Sequence, residues 1–497
     1  MLDHFLNVIN LFDQKILWGP WTMIFIASVS LYLTIKSRFF QMRKIPLIFR
    51  TTFGGFFRKS AAGSGGIMTP FQATSTALAS TVGMGSIAGV ATALSVGGPG
   101  AIFWMWLLAF ISMITKTAEI TLAVHYREVE PGGKVHGGPM YYIKKGLGWN
   151  VLARIFSMSM FVNAVFCASL LQSHTVGRAF LSSYGINPYL VTGLMAVTTA
   201  AVVIGGFKRI GRFCETLVPL MSVVYVLGGL ILFFFHFDRI PLVFGLVFKH
   251  AFSPIPAAGG FAGAAVSAAI KNGMAKGMLS NEAGLGTAPM AHATADTPHP
   301  FKQGIWGAFE VFVVTFIICT ITSFAVLSTG TLSSGQSGIE LVITAFSTVL
   351  PVQAARLLLS FSILTFCLTT QIGFFIYYET SIFHAFGSRP MKYLRWFYFI
   401  PAVIFAGVAD VDKLWVFANV AVGICAIPNL IAVLALSGAF FILMRDYLER
   451  RNKYATSLTD VSRQYVRSPR VKNLFRRILN LNWRKTNHEA KKRTFFC

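Results

Sequence analysis

The sequence predicts an all-α integral membrane protein of eleven transmembrane helices: one N-terminal helix, then two five-helix repeats of opposite orientation, each opening on a broken helix. Three observations carry this. Of 497 residues, 55% are hydrophobic and only 12% charged, the statistics of a polytopic membrane protein. Basic residues follow every odd-numbered apolar stretch. Glycine-rich interruptions occupy matching positions in the two halves of the chain.

A crossing of the hydrocarbon core needs about 20 mainly apolar residues. The first such stretch, roughly 17–35, follows Asp3 and Asp13 and is long enough to span, so it reads as a retained anchor and not as a cleaved signal peptide. The others fall at roughly 71–94, 99–124, 151–180, 188–206, 214–235, 242–270, 304–328, 354–383, 394–409 and 415–443. The chain then divides into an N-terminal anchor and basic loop (1–70), a first repeat (71–241), a second repeat (242–444) and a basic tail (445–497).

Cytoplasmic loops carry an excess of Lys and Arg. The first span is followed by Lys36, Arg38, Arg43, Lys44, Arg50, Arg58 and Lys59, whereas Ser95 to Pro99, after the second, has no basic residue. Basic groups return after the third (Arg127, Lys134, Lys144, Lys145), fifth (Lys208, Arg209, Arg212), seventh (Lys271, Lys276, Lys302) and ninth (Arg389, Lys392, Arg395) spans. The alternation predicts an N-terminus outside and a C-terminus in the cytoplasm, in the cell's inner (plasma) membrane.

Fifteen of the 43 basic residues lie between Arg445 and the C-terminus and account for much of the net charge of +25. Because this run abuts a span on the cytoplasmic side, its expected partner is anionic lipid headgroups of the bilayer and not nucleic acid. Within it, Leu474, Ile478 and Leu481 share helical spacing among Lys472, Arg476 and Arg477, the pattern of an interfacial helix.

The six cysteines show no CxxC or Cys/His ligand spacing, and no disulfides are expected. His292 and His299 flank Asp296 without a standard zinc spacing and read as a solvated loop. Among charges inside spans, Lys116 and Glu119 can pair on one helical face, and Glu310 and Glu379 sit near span ends, which favours local pairing and snorkelling over a proton relay.

Helix backbone can be interrupted inside a membrane only where protein or a water-filled cavity satisfies the freed groups. The signature appears around Gly83-Met84-Gly85 and again at Gly259 to Ala265 after Pro254 and Pro256. Small residues at such spacing also serve close helix packing. The matched positions, five spans apart, favour a binding site at the interface of an inverted repeat.

The segments Thr76 to Leu107, Ile204 to Met221, Gly260 to Ala293 (with SNEAGLG at Ser280 to Gly286) and Cys425 to Gly438 resemble the alanine or glycine:cation symporter family over almost the whole length from Phe71 to Leu443. The resemblance implies a secondary active transporter of the leucine-transporter type that imports small neutral amino acids (alanine, glycine, D-alanine) by Na+ symport. TVGMGS, Thr81 to Ser86, is also similar to the broken first core helix of the neurotransmitter:sodium symporters, which implies that Met84 and Gly85 offer amides to a substrate carboxylate and that the carbonyls of Ala79 and Val82 face the cation. The same likeness implies further sodium oxygens in the ninth span, where the Phe366 carbonyl and the hydroxyls of Thr369 and Thr370 share one turn, although such hydroxyls also bond back to the preceding turn.

The implied substrate set is Gly83, Met84, Gly85, Ser86, Gln172, Phe261, Ala265, Thr370 and Phe374. Three departures bear on selectivity: GMGS at Gly83 to Ser86 where relatives read GTGN, Gln172-Ser173-His174-Thr175 where Gln-Ala-Asn-Ser is usual, and Phe374 in place of a Trp. His174 is a weaker site candidate that could equally be a core histidine. With Met84, Phe261 and Phe374 as walls and no charge partner expected at pocket depth, size is the filter. SNEAGLG is expected beyond substrate depth, as a gate or a helix-capping turn. An enzyme is not expected, because Glu282 has no nucleophile, base or metal set beside it. Rival readings are a proton-coupled or passive permease and an intramembrane lipid-modifying enzyme.

Overall fold

The computed structural model describes residues 9, 11–12, 16–56, 66–130, 133–252, 262–404 and 411–450. These are mostly helical. The helices that frame the interior are α1 (Pro20–Lys36), α2 (Pro70–Thr81), α3 (Gly85–Gly97), α4 (Gly100–His125), α5 (Asn150–Tyr184), α6 (Pro188–Val203), α7 (Gly206–Phe235), α8 (Ile240–Phe252), α9 (Ala262–Asn281), α10 (Ala288–His292), α11 (Pro300–Thr329), α12 (Val352–Phe386), α13 (Val411–Ala435) and α14 (Ser437–Arg450). One departure from an all-α chain is a two-residue antiparallel hairpin, Glu128–Val129 against Val135–His136.

Five of these helices are long and apolar enough to cross a membrane, and two bent pairs would bring the number to seven. The first bent pair, α2 and α3, meets at 51°, and the second, Asn419–Ala435 with Ser437–Glu449, at 62°. The apolar stretches expected at 17–35 and 188–206 are present as the shorter helices α1 and α6. The stretch expected as one span at 242–270 is two helices, α8 and α9. Pro254, Pro256 and Gly259 to Phe261 lie outside the described residues, whereas Ala262 to Ala265, expected inside the interruption, open α9. Lys271 and Lys276, expected in a basic loop, also lie within α9. The tail from 451 onward, with its expected interfacial helix, lies outside the described residues.

Burial follows the sequence pattern. On α7, Leu220, Val223, Leu227, Ile231 and Phe234 recur at helical spacing and are all exposed, an uncharged apolar stripe of the kind that faces lipid. By contrast, α4 is buried without interruption from Ser112 to Val124 and packs against α9 and α11, so it forms the centre of the bundle. The charged residues Lys116 and Glu119 therefore lie in the interior, away from the lipid boundary.

Helix α2 crosses α12 at close range because position 373 is glycine. A Cβ there would stand 2.5 Å from the Ser80 hydroxyl and 2.9 Å from the Thr76 carbonyl. Backbone cannot retreat from such a contact at low cost. Gly373→Ala should destabilise the protein by about 1–3 kcal/mol, read as a lower thermal midpoint in detergent. Gly193→Ala on α6, where a Cβ meets nothing within 4 Å, should shift the midpoint slightly upward.

Candidate functional site

Thr69 and Gln72 form a reciprocal capping box and Pro70 occupies the first turn, which fixes where α2 starts. Its end is set by one backbone turn. Val82 N–H still donates to Leu78 O at 2.7 Å, but Gly83 N–H turns to Thr81 O at 3.1 Å, with Val82 at φ −83°, ψ 83°. This is an inverse γ-turn. Continuing the helix would have directed Gly83 N–H to Ala79 O. The freed Ala79 carbonyl instead accepts the Thr370 hydroxyl of α12 at 3.0 Å. Beyond the turn, Ser86 N–H donates to Gly83 O at 3.2 Å, and Gln172 Oε1 accepts the Met84 N–H at 3.3 Å. Gly83 is required here, since a Cβ would stand 2.6 Å from the Thr370 hydroxyl oxygen.

The expected cation ligands meet in part. Thr370 Oγ1 also lies 2.8 Å from Phe366 O, and Thr369 Oγ1 lies 3.0 Å from the same carbonyl and 3.4 Å from Met221 Sδ. Ala79 O, Phe366 O and the two hydroxyls thus converge where α2 ends, and back-bonding to the preceding turn is present as well. Val82 is buried in the turn itself. Such a set of neutral oxygens fits a hard monovalent cation.

A second interruption stands against the first. Helix α9 stops at Asn281, whose side-chain oxygen accepts the Ala283 N–H at 3.0 Å. Glu282 takes a left-handed conformation (φ 55°), strained for a side chain of this size, and Gly284 (φ 96°) follows in a region that glycine enters freely. Ser280 Oγ donates to Gly85 O at 2.9 Å, and Thr81 Oγ1 donates to Glu282 Oε2 at 3.3 Å. SNEAGLG is therefore at the depth of the broken helix, contrary to the expectation that it lies beyond it.

Between the two interruptions is a cavity of about 30 Å³, walled by Gly83, Met84, Gln172, Glu282, Thr370 and Phe374 among others. Gly85 and Ser80 also border it. Ser86 is absent from its lining and is held through its carbonyl by the Thr322 hydroxyl at 2.9 Å. His174 is buried but likewise does not line it. Phe261 lies outside the described residues, as does the side chain of Ala265. Sequence reasoning missed Ser80, Thr81, Cys167, Leu279 and Glu282. The signal for Glu282 was the specificity of SNEAGLG, which carried no indication of depth, and Thr81 opens the TVGMGS stretch.

The model of the sodium:alanine symporter family matches residues 2–460. The chain belongs to this family. It is similar to the transporter YflA of Bacillus subtilis (36% identity, covering 90% of this chain and 95% of that protein) and to the sodium/alanine symporter AgcS of Methanococcus maripaludis (34%, 91% and 99%). A probable sodium/glutamine symporter, GlnT of Bacillus subtilis, is 33% identical over 91% of this chain and 92% of its own length. Among solved structures, a manganese transporter of Eremococcus coleocola aligns at 11% identity over 80% of this chain and 84% of that one, with a TM-score of 0.48, too low to add to the assignment. The protein is a multi-pass membrane transporter of amino acids coupled to a cation, and not an enzyme.

In this family member the charges beneath the cavity are organised differently from the sequence expectation. Lys116 is fully buried and does not snorkel, nor does it take Glu119 as its salt-bridge partner. It pairs with Glu310 of α11 at 3.1 Å, donates to Asn281 O at 2.8 Å and lies 3.5 Å from the Thr81 hydroxyl. Glu310 in turn lies 2.6 Å from His292 Nε2, and Gln303 Nε2 lies 2.8 Å from His292 Nδ1. Glu119 bonds Asn429, which also donates to Gly284 O at 2.9 Å. The solvated-loop reading of His292 and His299 fails too: both are buried, and His299 faces Asp446 at 3.3 Å. Glu379 pairs locally with Arg395 at 3.2 Å.

The Lys116 ammonium thus ties α4 to the end of α9 and to α11. Lys116→Met should destabilise by about 3–5 kcal/mol, because it strands a buried carboxylate. The double variant Lys116→Met with Glu310→Gln should recover part of that loss, read from thermal midpoints of the four proteins of the cycle.

Proposed function

We propose that this transporter imports small neutral amino acids, alanine and glycine foremost and alanine of either hand, by Na+ symport with alternating access. The observation that carries this is the convergence of Ala79 O, Phe366 O and the Thr369 and Thr370 hydroxyls at the break between α2 and α3. The Na+ ion would sit among these oxygens, with Val82 O as a further ligand. The substrate carboxylate would meet the amides of Met84 and Gly85, where α3 begins and its dipole favours an anion. Gln172, which now accepts from Met84 N–H, would exchange that bond for the substrate, and Phe374 and Met84 would wall its side chain. Gly83, Ser86, Phe261 and Ala265 complete the proposed site.

Relatives carry names that mention alanine or glutamine. Met84 and Phe374 on the cavity wall support the small end of that range. We further propose the eleven-span, five-plus-five layout, residence in the inner membrane with the N-terminus outside, and contact of the basic tail with anionic headgroups.

Purified protein in liposomes should accumulate labelled alanine only with an inward sodium gradient. Thr369→Val with Thr370→Val should raise the half-saturating sodium concentration at least tenfold while leaving insertion intact. Uptake independent of sodium, or an unchanged sodium dependence in the double variant, would overturn the reading. For orientation, a cysteine placed between 333 and 338 should label from outside intact cells; labelling only after permeabilisation would reverse it.

A further inference from the structure

Glu282 is a buried carboxylate on the wall of the substrate cavity, only 3% exposed. One of its oxygens, Oε2, accepts from Thr81 at 3.3 Å and from Thr287 at 2.7 Å. The other, Oε1, accepts no hydrogen bond from any described residue. The positive charge nearest in the network, Lys116, is already committed to Glu310 and to Asn281 O. Lys116 forms its salt bridge with Glu310 and not with Glu282, which meets the ammonium only through the Thr81 hydroxyl. A buried carboxylate with a spare acceptor and no dedicated counter-ion calls for a cationic ligand.

Resting on the proposed reading of an amino-acid substrate, we infer that Glu282 receives the substrate's α-ammonium group. The cavity is bordered both by Met84 and Gly85, at the start of α3, and by Glu282, which is held nearby because Ser280 Oγ bonds Gly85 O and Thr81 Oγ1 bonds Glu282. That pairing matches a zwitterion lying across the gap between the two interruptions. The cluster of neutral oxygens around Thr370, on the side of α12, is left to the inorganic cation. The left-handed backbone at Glu282 is the strained feature that turns its side chain back toward the first break. Charge complementarity here gives a reason why α-amino acids would be selected over carboxylic acids of equal size: an acid without the amine leaves the Glu282 oxygen unpaired and brings a second anion toward it.

The test uses the full-length protein in detergent, with thermal midpoints measured with sodium alone and with sodium plus alanine, and propionate as the amine-free analogue. In the wild type, sodium raises the midpoint, alanine raises it further and propionate does not. Glu282→Gln should keep the sodium-induced rise, lose most of the alanine-induced rise, and require at least tenfold more alanine for half its effect. Glu282→Asp, which retains the charge, should recover part of the alanine response. An E282Q protein that responds to alanine within twofold of wild type overturns this assignment alone. Loss of the sodium-induced rise together with the alanine response, with both restored in E282D, also overturns it, because the carboxylate would then serve the inorganic cation. A wild-type protein that responds to no small zwitterionic amino acid overturns both the assignment and the functional reading beneath it.

Discussion

The arrangement depends on one backbone constraint: a helix that stops in the protein interior must find partners for the groups it frees. At the end of α2, Gly83 N–H closes a tight turn on Thr81 and releases the Ala79 carbonyl, and Thr370 meets that carbonyl. The hydroxyl can reach it because Gly373, one turn further along α12, lets the two helices approach. Break, hydroxyl and glycine form one device. Oxygen that would be sealed inside a continuous helix instead meets a side chain of α12, and the Met84 N–H beyond the turn meets Gln172.

The second interruption uses different means for the same end. Asn281 caps the turn with its side chain, Lys116 donates to the Asn281 carbonyl, and Ser280 bonds Gly85 across the gap. Each interruption thereby supplies partners to the other, so neither is stable in its present form alone. A buried ion pair such as Lys116 with Glu310 is poor evidence for stability in itself, since desolvation offsets much of its attraction. Its value lies in fixing geometry: the ammonium fits one place, defined by α4, the end of α9 and α11. His292, held between Glu310 and Gln303, extends that order toward α10.

Much of this was legible residue by residue. The first break could be read from TVGMGS because its glycines interrupt an apolar stretch and match the family motif, and Thr369 with Thr370 could be placed on one turn by helical spacing alone. Gln172 was found through the family resemblance. The interruption expected at Gly259 to Ala265 lies largely outside the described residues, with Ala262 to Ala265 opening α9, and the interruption that meets Gly85 is a further one at Glu282 to Gly286, where the sequence suggested a cytoplasmic turn. Hydropathy gives depth only by counting along a helix, and it carries no sign of a turn such as the left-handed one at Glu282.

The charges mark the same boundary. By itself the sequence determined the helical membrane class, the family and the place of the first break, because composition, periodicity and motif are properties of local chain. It could offer Lys116 only partners within reach on its own helix, and so proposed Glu119. Tertiary structure decided for Glu310, 194 positions further along the chain, and brought Glu282 to the cavity wall through a left-handed turn. Which carboxylate meets which cation in a low-dielectric interior depends on how helices cross, and crossing is set by side-chain volumes summed over whole faces, which no single stretch of sequence contains.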